Sequence, residues 1–447
     1  MSFWTLDRVA KALGLRGYDS RAIAGISTDT RSIKAGEAFV ALIGERFDAH
    51  DHLQDAVANG AAVLVVSDAR RAPTSGVPVL EVPDTLVALG QLARYRRDAW
   101  AKPVIAIGGS NGKTSTKELL KAALGSRYEV HATTGNLNNR IGVPLTLLAL
   151  PDGADLAIVE AGTNEPGEIE ALREIIRPDV ALVTTVQEEH LEGFGDLAGV
   201  LEEELALTVD VPIAVVPAAE PDVVSAARTR AARVITAGLT SADRTPQEFG
   251  LKPNGRGWLD WGGARVHIPL PGAHNLRNAA LVLAVSDEFG VAPADAALGI
   301  SRMPQPPMRS AVESLGEALL VNDCYNSNPG SARAAIELLR DVAEGRPQVA
   351  VLGTMRELGA ASERAHREVA EAALASGAET VVGIGAFGAA LRALAPDDPR
   401  VLIAEDVDDL WPNLAPRLAR NAAILLKASR GVRLERLLPL LTTWATT

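Results

Sequence analysis

The stretch 104–116, VIAIGGSNGKTST, constrains the fold of this chain more than any other. An apolar run ends at Gly108 and Gly109, which predicts a buried strand that enters a glycine-rich turn and then a helix. The first turn of a helix offers unpaired N–H groups to an anion, and glycines let the backbone approach that anion closely. The sequence therefore predicts a strand–turn–helix cradle for phosphate.

Side chains in the same turn extend this prediction. Lys113 supplies a cation for the β- and γ-phosphates, and Thr114 supplies a hydroxyl where Mg²⁺ would bind. The residues predicted to hold the nucleotide phosphates are Gly109, Ser110, Asn111, Gly112, Lys113, Thr114 and Ser115. The spacing from Gly108 is G-x-x-x-G-K-T, one residue shorter than the usual phosphate-loop pattern. A glycine-rich turn with a chance lysine is the alternative interpretation.

The length of 447 residues favours three domains at about 150 residues each. We predict a small α/β domain over 1–84, a central phosphate-loop domain over 85–307 and a Rossmann-like domain over 308–447. Strands that alternate with helices in the last two predict mostly parallel sheets, with ligands at the carboxyl ends of strands. Helices are expected over 84–100 and 432–441, among others, and the fold class is α/β.

Composition and charge exclude several classes of function. The formal net charge of -12 argues against a nucleic-acid partner, which requires a basic face. The single cysteine, Cys324, excludes an intramolecular disulfide and is expected to be a buried small apolar side chain. No run approaches the roughly 18 uncharged apolar residues that span a membrane. We therefore expect a soluble protein of the reducing cytoplasm.

Further candidate residues follow predicted strands. Glu160 closes an apolar strand and is a candidate Mg²⁺ ligand, with a solvated strand end as the alternative. His190 follows another strand, although a lone histidine is usually structural. Asp323 ends a strand where a sugar hydroxyl would donate to it, and Asn328 is expected near a helix N-cap.

Two polar stretches are candidates for ligand contacts. Asn275 and Asn278 lie one helical turn apart, so both amides are expected to meet one flat polar ligand such as a nucleobase, with helix capping by Asn275 as the alternative. The stretch 27–31, STDTR, combines hydroxyls with one arginine, which suits a phosphorylated ligand. A solvated loop is the alternative there.

Taken together, these motifs resemble the Mur ligases of peptidoglycan synthesis. The motifs that carry the resemblance are 27–31, 39–44, 47–48, 109–115, 135–146, Glu160, 190–195, 271–275, 323–329 and 427–430. Within the family, the stretches 136–144 and 167–169 resemble the branch that adds a D-alanyl-D-alanine dipeptide. An Asp-Asn-Pro-Arg motif, typical of the diaminopimelate-adding branch, is absent.

The resemblance implies that the first domain binds the UDP end of a UDP-MurNAc-tripeptide, the central domain binds Mg-ATP and the third closes over both. The tripeptide carboxylate would attack the γ-phosphate, and the amine of D-Ala-D-Ala would then displace phosphate from the acyl phosphate. A monomer with ATP and Mg²⁺ as cofactors is expected.

The same resemblance distributes roles among the residues. Lys113, Glu160 and His190 would be catalytic, and Thr114, Glu160 and His190 would bind Mg²⁺. Asn275 and Asn278 would face adenine, and Asp323 and Arg309 the ribose and phosphates. The residues assigned to the substrates are Ser27, Thr28, Asp29, Arg31, Asn138, Asn139, Thr163, Asn326 and Lys427.

Two departures from the family pattern stand out. Counting from His190, Glu204 lies where such ligases usually carry a carbamylated lysine, and we hypothesise that its carboxylate serves as a metal ligand without CO₂. A solvated acidic helix face is the alternative. Thr354 and Arg356 replace a usual Asp and Gly. A Mur-like ligase with another amino acceptor and a weakly active nucleotide-binding paralogue therefore stay open as alternatives.

Overall fold

The structure, a computed structural model, describes residues 3–446. It divides into two compact units. The first contains the described residues up to Ala106 together with His131–Ala161 and Glu170–Pro178, and the second contains Ile107–Val130, Gly162–Ile169 and the described residues from Asp179 onward. The domain boundaries at 84 and 307 stay a prediction.

The segment before the phosphate loop is a small α/β arrangement. Its elements are α1 (Leu6–Ala12), β1 (Ile26–Ser27), β2 (Ala38–Val40), β3 (Ile43–Gly44), β4 (Phe47–Asp48), α2 (Leu53–Ala58), β5 (Val63–Val66), β6 (Val79–Glu81) and α3 (Thr85–Trp100). Strands β1, β2, β5 and β6 form a parallel sheet in that order, with apolar clusters on both faces. Because both faces are covered, β5 is apolar throughout. Helix α3 confirms the predicted helix over 84–100 and is capped by the Asp84 carboxylate.

The central segment carries the predicted α/β alternation. Its elements are β7 (Val104–Gly108), α4 (Lys113–Leu124), β8 (Val130–Ala132), α5 (Gly142–Leu148), β9 (Leu156–Glu160), α6 (Glu168–Ile176), β10 (Val180–Val183), α7 (Leu191–Phe194), α8 (Leu197–Leu205), β11 (Ile213–Pro217), α9 (Pro221–Arg228), β12 (Arg233–Ala237), β13 (Glu248–Leu251), β14 (Arg256–Trp261), β15 (Ala264–Pro271), α10 (Ala273–Glu288) and α11 (Pro293–Ser301).

Two sheets organise this segment. The larger has the order β12-β11-β10-β7-β9-β8, and its strand β7 is fully buried. Strands β10, β11 and β12 pair in parallel, as predicted. The smaller sheet contains an antiparallel hairpin of β14 and β15 and an edge strand, β13. Strand β13 has only four residues and is mostly exposed.

The last segment is a Rossmann-like α/β arrangement. Its elements are β16 (Ala311–Leu315), β17 (Ala318–Asp323), α12 (Pro329–Ala343), β18 (Gln348–Gly353), α13 (Ser362–Ala375), β19 (Thr380–Ile384), α14 (Ala386–Leu394), β20 (Val401–Ala404), α15 (Val407–Leu414), β21 (Ala423–Lys427) and α16 (Leu437–Thr446). The sheet order is β16-β17-β21-β18-β19-β20, in which only β16 is antiparallel to its neighbour.

The helix predicted over 432–441 is wrong in its bounds. Two short 3₁₀ turns, Arg430–Val432 and Leu434–Arg436, precede α16. Arg433 between them has φ +60°, and this left-handed backbone cannot continue a right-handed helix. Among the described residues, no helix is both long and apolar enough to cross a bilayer.

Candidate phosphate-binding site

The helix after β7 begins without a side-chain cap. Its N-cap is Gly112, with φ +85°, and the helix starts at Lys113. Gly109 has φ +108°, and a Cβ there would lie 2.4 Å from Thr184 Oγ1. A Cβ at Gly112 would lie 2.7 Å from Asn278 Nδ2. Both positions therefore require glycine, and the N-cap residue brings no acceptor of its own to the N–H groups of the first helical turn.

We call residues 108–114 the phosphate loop. Its position is fixed by hydrogen bonds to the segment after β10. The Ser110 N–H donates to Thr185 O at 2.7 Å, and the Ser110 hydroxyl donates to Gln187 O at 3.0 Å and accepts from the Gln187 N–H at 2.9 Å. The Asn111 amide donates to Gln187 Oε1 at 2.9 Å. Hydrogen bonds within the protein therefore fix the shape of the phosphate loop.

A reciprocal amide pair joins the phosphate loop to α12. Asn111 Nδ2 donates to Asn328 Oδ1 at 3.1 Å, and Asn328 Nδ2 donates to Asn111 Oδ1 at 2.9 Å. Asn328 is also the N-cap of α12, where a capping box with Ser331 confirms its predicted position. One asparagine therefore belongs to both the loop and the start of a later helix.

Lys113 folds back onto the loop. Its Nζ donates to Gly109 O at 2.5 Å and lies 3.9 Å from Glu204 Oε1, with the side chain 14% exposed. Glu204 is fully buried, and its Oε2 accepts the Gly109 N–H at 2.6 Å. The structure therefore brings together two of the predicted residues, Lys113 and Glu204, at Gly109.

Glu189 is a buried acid that the sequence analysis missed. Burial raises its pKa to about 7, against the lowering effect of Lys113, and the charge of Glu204 raises it further. Glu189 lies beside His190 in the sequence, in a stretch already singled out for that histidine, so this neighbouring acid was the available signal.

His190 pairs with an acid of the last segment. Its Nδ1 lies 2.8 Å from Glu357 Oε2, and its backbone is left-handed with φ +47°. Burial lowers the pKa of His190, but the hydrogen bond to Glu357 and the charge of Glu189 outweigh burial and raise it overall. The imidazole is therefore oriented by a carboxylate.

In the first unit, Glu160 is buried at the end of β9. Its N–H donates to Thr133 Oγ1 at 2.9 Å, and its Oε1 accepts from Asn138 Nδ2 at 2.9 Å. Asn139 Oδ1 accepts the N–H groups of Ile141 and Gly142 at the start of α5. Asn138 thus orients a candidate metal ligand, whereas Asn139 caps a helix.

The donors proposed for Mg²⁺ fit a hard cation chemically. Glu160 offers carboxylate oxygens and Thr114, itself buried, a hydroxyl oxygen. Within residues 3–446, no group of three or more His, Cys, Asp or Glu side chains forms a preassembled metal site.

The two asparagines predicted to face adenine form hydrogen bonds at the start of α10. Asn275 Nδ2 donates to Pro271 O at 2.7 Å, and Asn278 Nδ2 donates to Asn275 Oδ1 at 3.4 Å. Both side chains are buried. Asn275 therefore satisfies backbone near the helix start, and the contact with adenine stays a prediction.

The residues at the end of β17 form an ion pair. Asp323 Oδ2 lies 2.7 Å from Lys427 Nζ, and Asp323 Oδ1 accepts the Ser310 N–H at 2.8 Å. Lys427 is buried and also donates to the backbone O of the exposed Asn326 at 2.6 Å. The Arg309 guanidinium lies over the Tyr325 ring at 4.0 Å. Their predicted contacts with nucleotide or substrate remain predictions.

The remaining predicted residues, Thr163 and the stretch 27–31, have local contacts. Thr163 Oγ1 donates to Glu203 Oε1 at 3.1 Å and is buried. In the stretch 27–31, the Arg31 guanidinium grips Asp29 with Nη2–Oδ2 at 2.7 Å, and this hydrogen bond lowers the Asp29 pKa to about 2. The hydroxyl of Ser27 donates to Asp29 O, and Thr28 lies between them. The pair faces solvent, since Arg31 is 88% exposed.

Thr354 and Arg356, the two residues of the last segment that depart from the family pattern, have local contacts. Thr354 Oγ1 accepts the Ala386 N–H at 3.0 Å at the start of α14, and the Arg356 N–H donates to Ser429 Oγ at 3.0 Å. Thr354 therefore caps a helix start, and Arg356 is exposed.

Comparisons with known proteins agree on one family. Family models match over 22–97 (Mur ligase family, catalytic domain), 107–286 (Mur ligase middle domain) and 308–430 (Mur ligase, glutamate ligase domain). The chain is 34% identical to the UDP-N-acetylmuramoyl-tripeptide–D-alanyl-D-alanine ligase of Bacillus subtilis over 94% of this chain and 93% of that protein. It is 38% identical to the Escherichia coli protein of the same name, over 85% of this chain and 86% of that protein.

Solved structures agree with the sequence relatives. A crystal structure of MurF from Acinetobacter baumannii superposes with a TM-score of 0.90 at 30% identity, covering 98% of this chain and 99% of that one. MurF from Thermotoga maritima, solved in complex with ADP, superposes with a TM-score of 0.82 at 26% identity, covering 94% of this chain and 98% of that one.

Proposed function

The chain belongs to the Mur ligase family, and from that premise we propose that it uses ATP to join D-alanyl-D-alanine to a UDP-N-acetylmuramoyl-tripeptide. The observation that carries the proposal is the uncapped start of α4 behind Gly109 and Gly112, with Lys113 at its first position. The Bacillus subtilis relative carries this substrate pair in its name, and the Acinetobacter baumannii structure is of MurF.

The proposed reaction has two steps. An oxygen of the tripeptide carboxylate attacks the γ-phosphorus of ATP, the bond to the β,γ-bridging oxygen breaks, and ADP leaves. The amine of D-Ala-D-Ala then attacks the carbonyl carbon of the acyl phosphate, and inorganic phosphate leaves from the tetrahedral intermediate with the C–O electron pair. The amine nitrogen loses its proton as the amide forms. Catalysis of this kind depends on positioning and charge neutralisation.

We assign these tasks to the chain's own residues. The N–H groups of the phosphate loop and of the first turn of α4 hold the phosphate oxygens, and Lys113 leaves Gly109 O to neutralise the charge that develops on the γ-phosphate. Mg²⁺, when bound, would neutralise the phosphates further. Thr114 and Glu160 are proposed as its ligands on their oxygen donors, and His190 is proposed on the family resemblance. Glu357 would orient the His190 ring.

The substrate residues remain part of the proposal. We assign the UDP end to Ser27, Thr28, Asp29 and Arg31, on the exposed Asp29–Arg31 pair. The Asp29 carboxylate fixes the guanidinium plane, which suits a bidentate contact with a phosphate. A cytoplasmic location and a monomeric state are also proposed. The buried free thiol of Cys324 supports a reducing compartment, and light scattering after size exclusion checks the monomer.

The test measures phosphate release from ATP with UDP-MurNAc-tripeptide, with and without D-Ala-D-Ala, together with the product mass. The proposal predicts release that requires both substrates and a product heavier by one dipeptide less water. Release that another amine stimulates instead would favour a ligase with a different acceptor. ATP binding without turnover under any acceptor would favour the nucleotide-binding paralogue.

A further inference from the structure

Three successive acids at the end of α8 have three different environments. Glu202 is exposed and pairs with Arg230. Glu203 turns inward, where its carboxylate accepts the N–H groups of Gly167 and Ile169 at 2.7 and 2.8 Å. Glu204 turns toward the phosphate loop and is fully buried. Each residue advances about 100° around a helix, so neighbouring acids point in different directions. Of the three, only Glu204 contacts the phosphate loop.

The contact of Glu204 is short and directed at one peptide group. Its Oε2 accepts the Gly109 N–H at 2.6 Å, and its Oε1, buried without a hydrogen-bond partner, lies 3.9 Å from Lys113 Nζ. Lys113 in turn donates to Gly109 O. Gly109 is therefore held through its N–H by Glu204 and through its C=O by Lys113, and the two side chains carry opposite charges.

A buried carboxylate is stable only if it is paired and hydrogen-bonded. Gly109 N–H and the Lys113 ammonium meet this need for Glu204. The same bond fixes Gly109, because φ +108° is only one of several backbone conformations that are open to a glycine. Glu204 also lies close to Gly108, because a Cβ at Gly108 would lie 3.2 Å from Glu204 Oε2.

We propose that Glu204 is a positioning residue that anchors the phosphate loop at Gly109 and restrains Lys113, so that the loop has its binding shape before nucleotide arrives. This inference rests on the proposed nucleotide site, but it assigns Glu204 to the loop backbone rather than to a metal ion. Glu204 acts through Gly109 and Lys113 and does not touch the nucleotide.

The first experiment compares Glu204→Gln with Glu202→Gln, its exposed neighbour on α8, by calorimetric titration with ADP, once in EDTA and once with Mg²⁺. A neutral amide keeps the size of the side chain but loses the charge-assisted bond to Gly109 and the attraction to Lys113. We expect ADP to bind about tenfold more weakly to Glu204→Gln, by the same factor with and without Mg²⁺. Glu202→Gln should bind ADP like the wild type.

Two results would overturn the proposal. A loss confined to the Mg²⁺ titration would make Glu204 a metal ligand. Tighter ADP binding in EDTA would make it an internal anion that competes with phosphate for Lys113. Glu204→Asp, which keeps the charge on a shorter stem, should recover part of the affinity if the charge near Lys113 matters.

A second measurement, hydrogen exchange, begins with the wild type. Hydrogen exchange in the wild type without nucleotide should show the Gly109 amide protected, and in Glu204→Gln its exchange should speed up at least tenfold while α8 stays protected. An unprotected Gly109 amide in the folded wild type would contradict the anchor even if Glu204→Gln did not fold. Both measurements use ADP or no ligand, so they stand apart from any failure of the ligase assay.

Discussion

Two strand–turn–helix junctions of the chain follow the same local topology and end differently. At the first, β7 leads through Gly109 and Gly112 into α4, whose N-cap brings no side-chain acceptor. At the second, β17 leads into α12, whose N-cap Asn328 forms a capping box with Ser331, with Pro329 at the first position of the helix. The N-cap of the first helix offers no side-chain acceptor, which suits an anion from outside the chain, whereas the second helix start has a capping box of its own side chains.

The lysines near the two junctions also differ in their contacts. Lys113 Nζ at the first lies 2.5 Å from Gly109 O and 3.9 Å from a Glu204 carboxylate oxygen, whereas Lys427 Nζ at the second lies 2.7 Å from Asp323 Oδ2 and 2.6 Å from Asn326 O. A strand–turn–helix unit therefore suits a phosphate when its N-cap residue brings no side-chain acceptor. The predictions below test this difference.

The largest effect is expected for Lys113→Ala. Removal of the cation that neutralises the γ-phosphate should lower ATP-dependent amide formation by a factor on the order of 10³. Steady-state kinetics with both substrates measure this. Lys121→Ala, on the exposed side of α4, is the matched control and should leave the rate unchanged. A decrease of less than tenfold for Lys113→Ala would contradict its assigned role.

Gly112→Ala should distort the junction between β7 and α4, where Gly112 is the N-cap. An alanine at φ +85° is strained by about 1–2 kcal/mol, and its Cβ would lie 2.7 Å from Asn278 Nδ2. We expect ADP affinity to fall at least tenfold and the unfolding temperature to decrease, by titration and calorimetry. Gly153→Ala is the control, because no atom lies within 4 Å of its added Cβ. Unchanged affinity in Gly112→Ala would show that the backbone shape there is dispensable.

A feature of these junctions could be predicted from the sequence when the residues that form it are close together in the chain. The apolar runs of β7, β18 and β21 predicted buried strands because their residues are covered on both faces. The phosphate loop was predicted because its glycines, lysine and hydroxyl are adjacent in the chain. Short or exposed elements such as β13 leave no such pattern.

Contacts between residues that are far apart in the sequence could not be predicted from local sequence patterns. Glu204 was located by counting from His190, yet its bond to Gly109 joins residues 95 apart, and no spacing rule encodes it. The Asn111–Asn328 pair joins residues 217 apart. Asn275 and Asn278 were read correctly as one helix face, but buried polar groups near a helix start also bond locally, as Asn275 does with Pro271.

Asn328→Ala should destabilise the protein at the capped start of α12. Loss of an N-cap typically lowers the free energy of unfolding by about 1 kcal/mol, and urea titration followed by circular dichroism measures it. Because Asn328 also pairs with Asn111, the double variant Asn111→Ala/Asn328→Ala should lose less than the sum of the single variants. Additive losses would show that the two asparagines do not couple the loop to α12.

The smallest effect is expected at Cys324, directly after β17. Burial raises the pKa of this thiol to about 11, so at pH 8 only about one thiol in a thousand is the reactive thiolate. A disulfide reagent at pH 8 should label the folded protein at least 100-fold more slowly than the urea-unfolded chain, and ADP should not change the rate. The labelling rate should rise with pH toward 11. Fast labelling of the folded protein would contradict the closed packing of this junction.

The most direct test of the central claim, that phosphate held at the open start of α4 activates a carboxylate, follows oxygen atoms. UDP-MurNAc-tripeptide labelled with ¹⁸O in its terminal carboxylate is incubated with ATP and D-Ala-D-Ala, and the released phosphate is analysed by mass spectrometry. The account predicts one ¹⁸O in each phosphate for the wild type and no labelled phosphate above background for Lys113→Ala. Amide product accompanied by unlabelled phosphate would contradict the account.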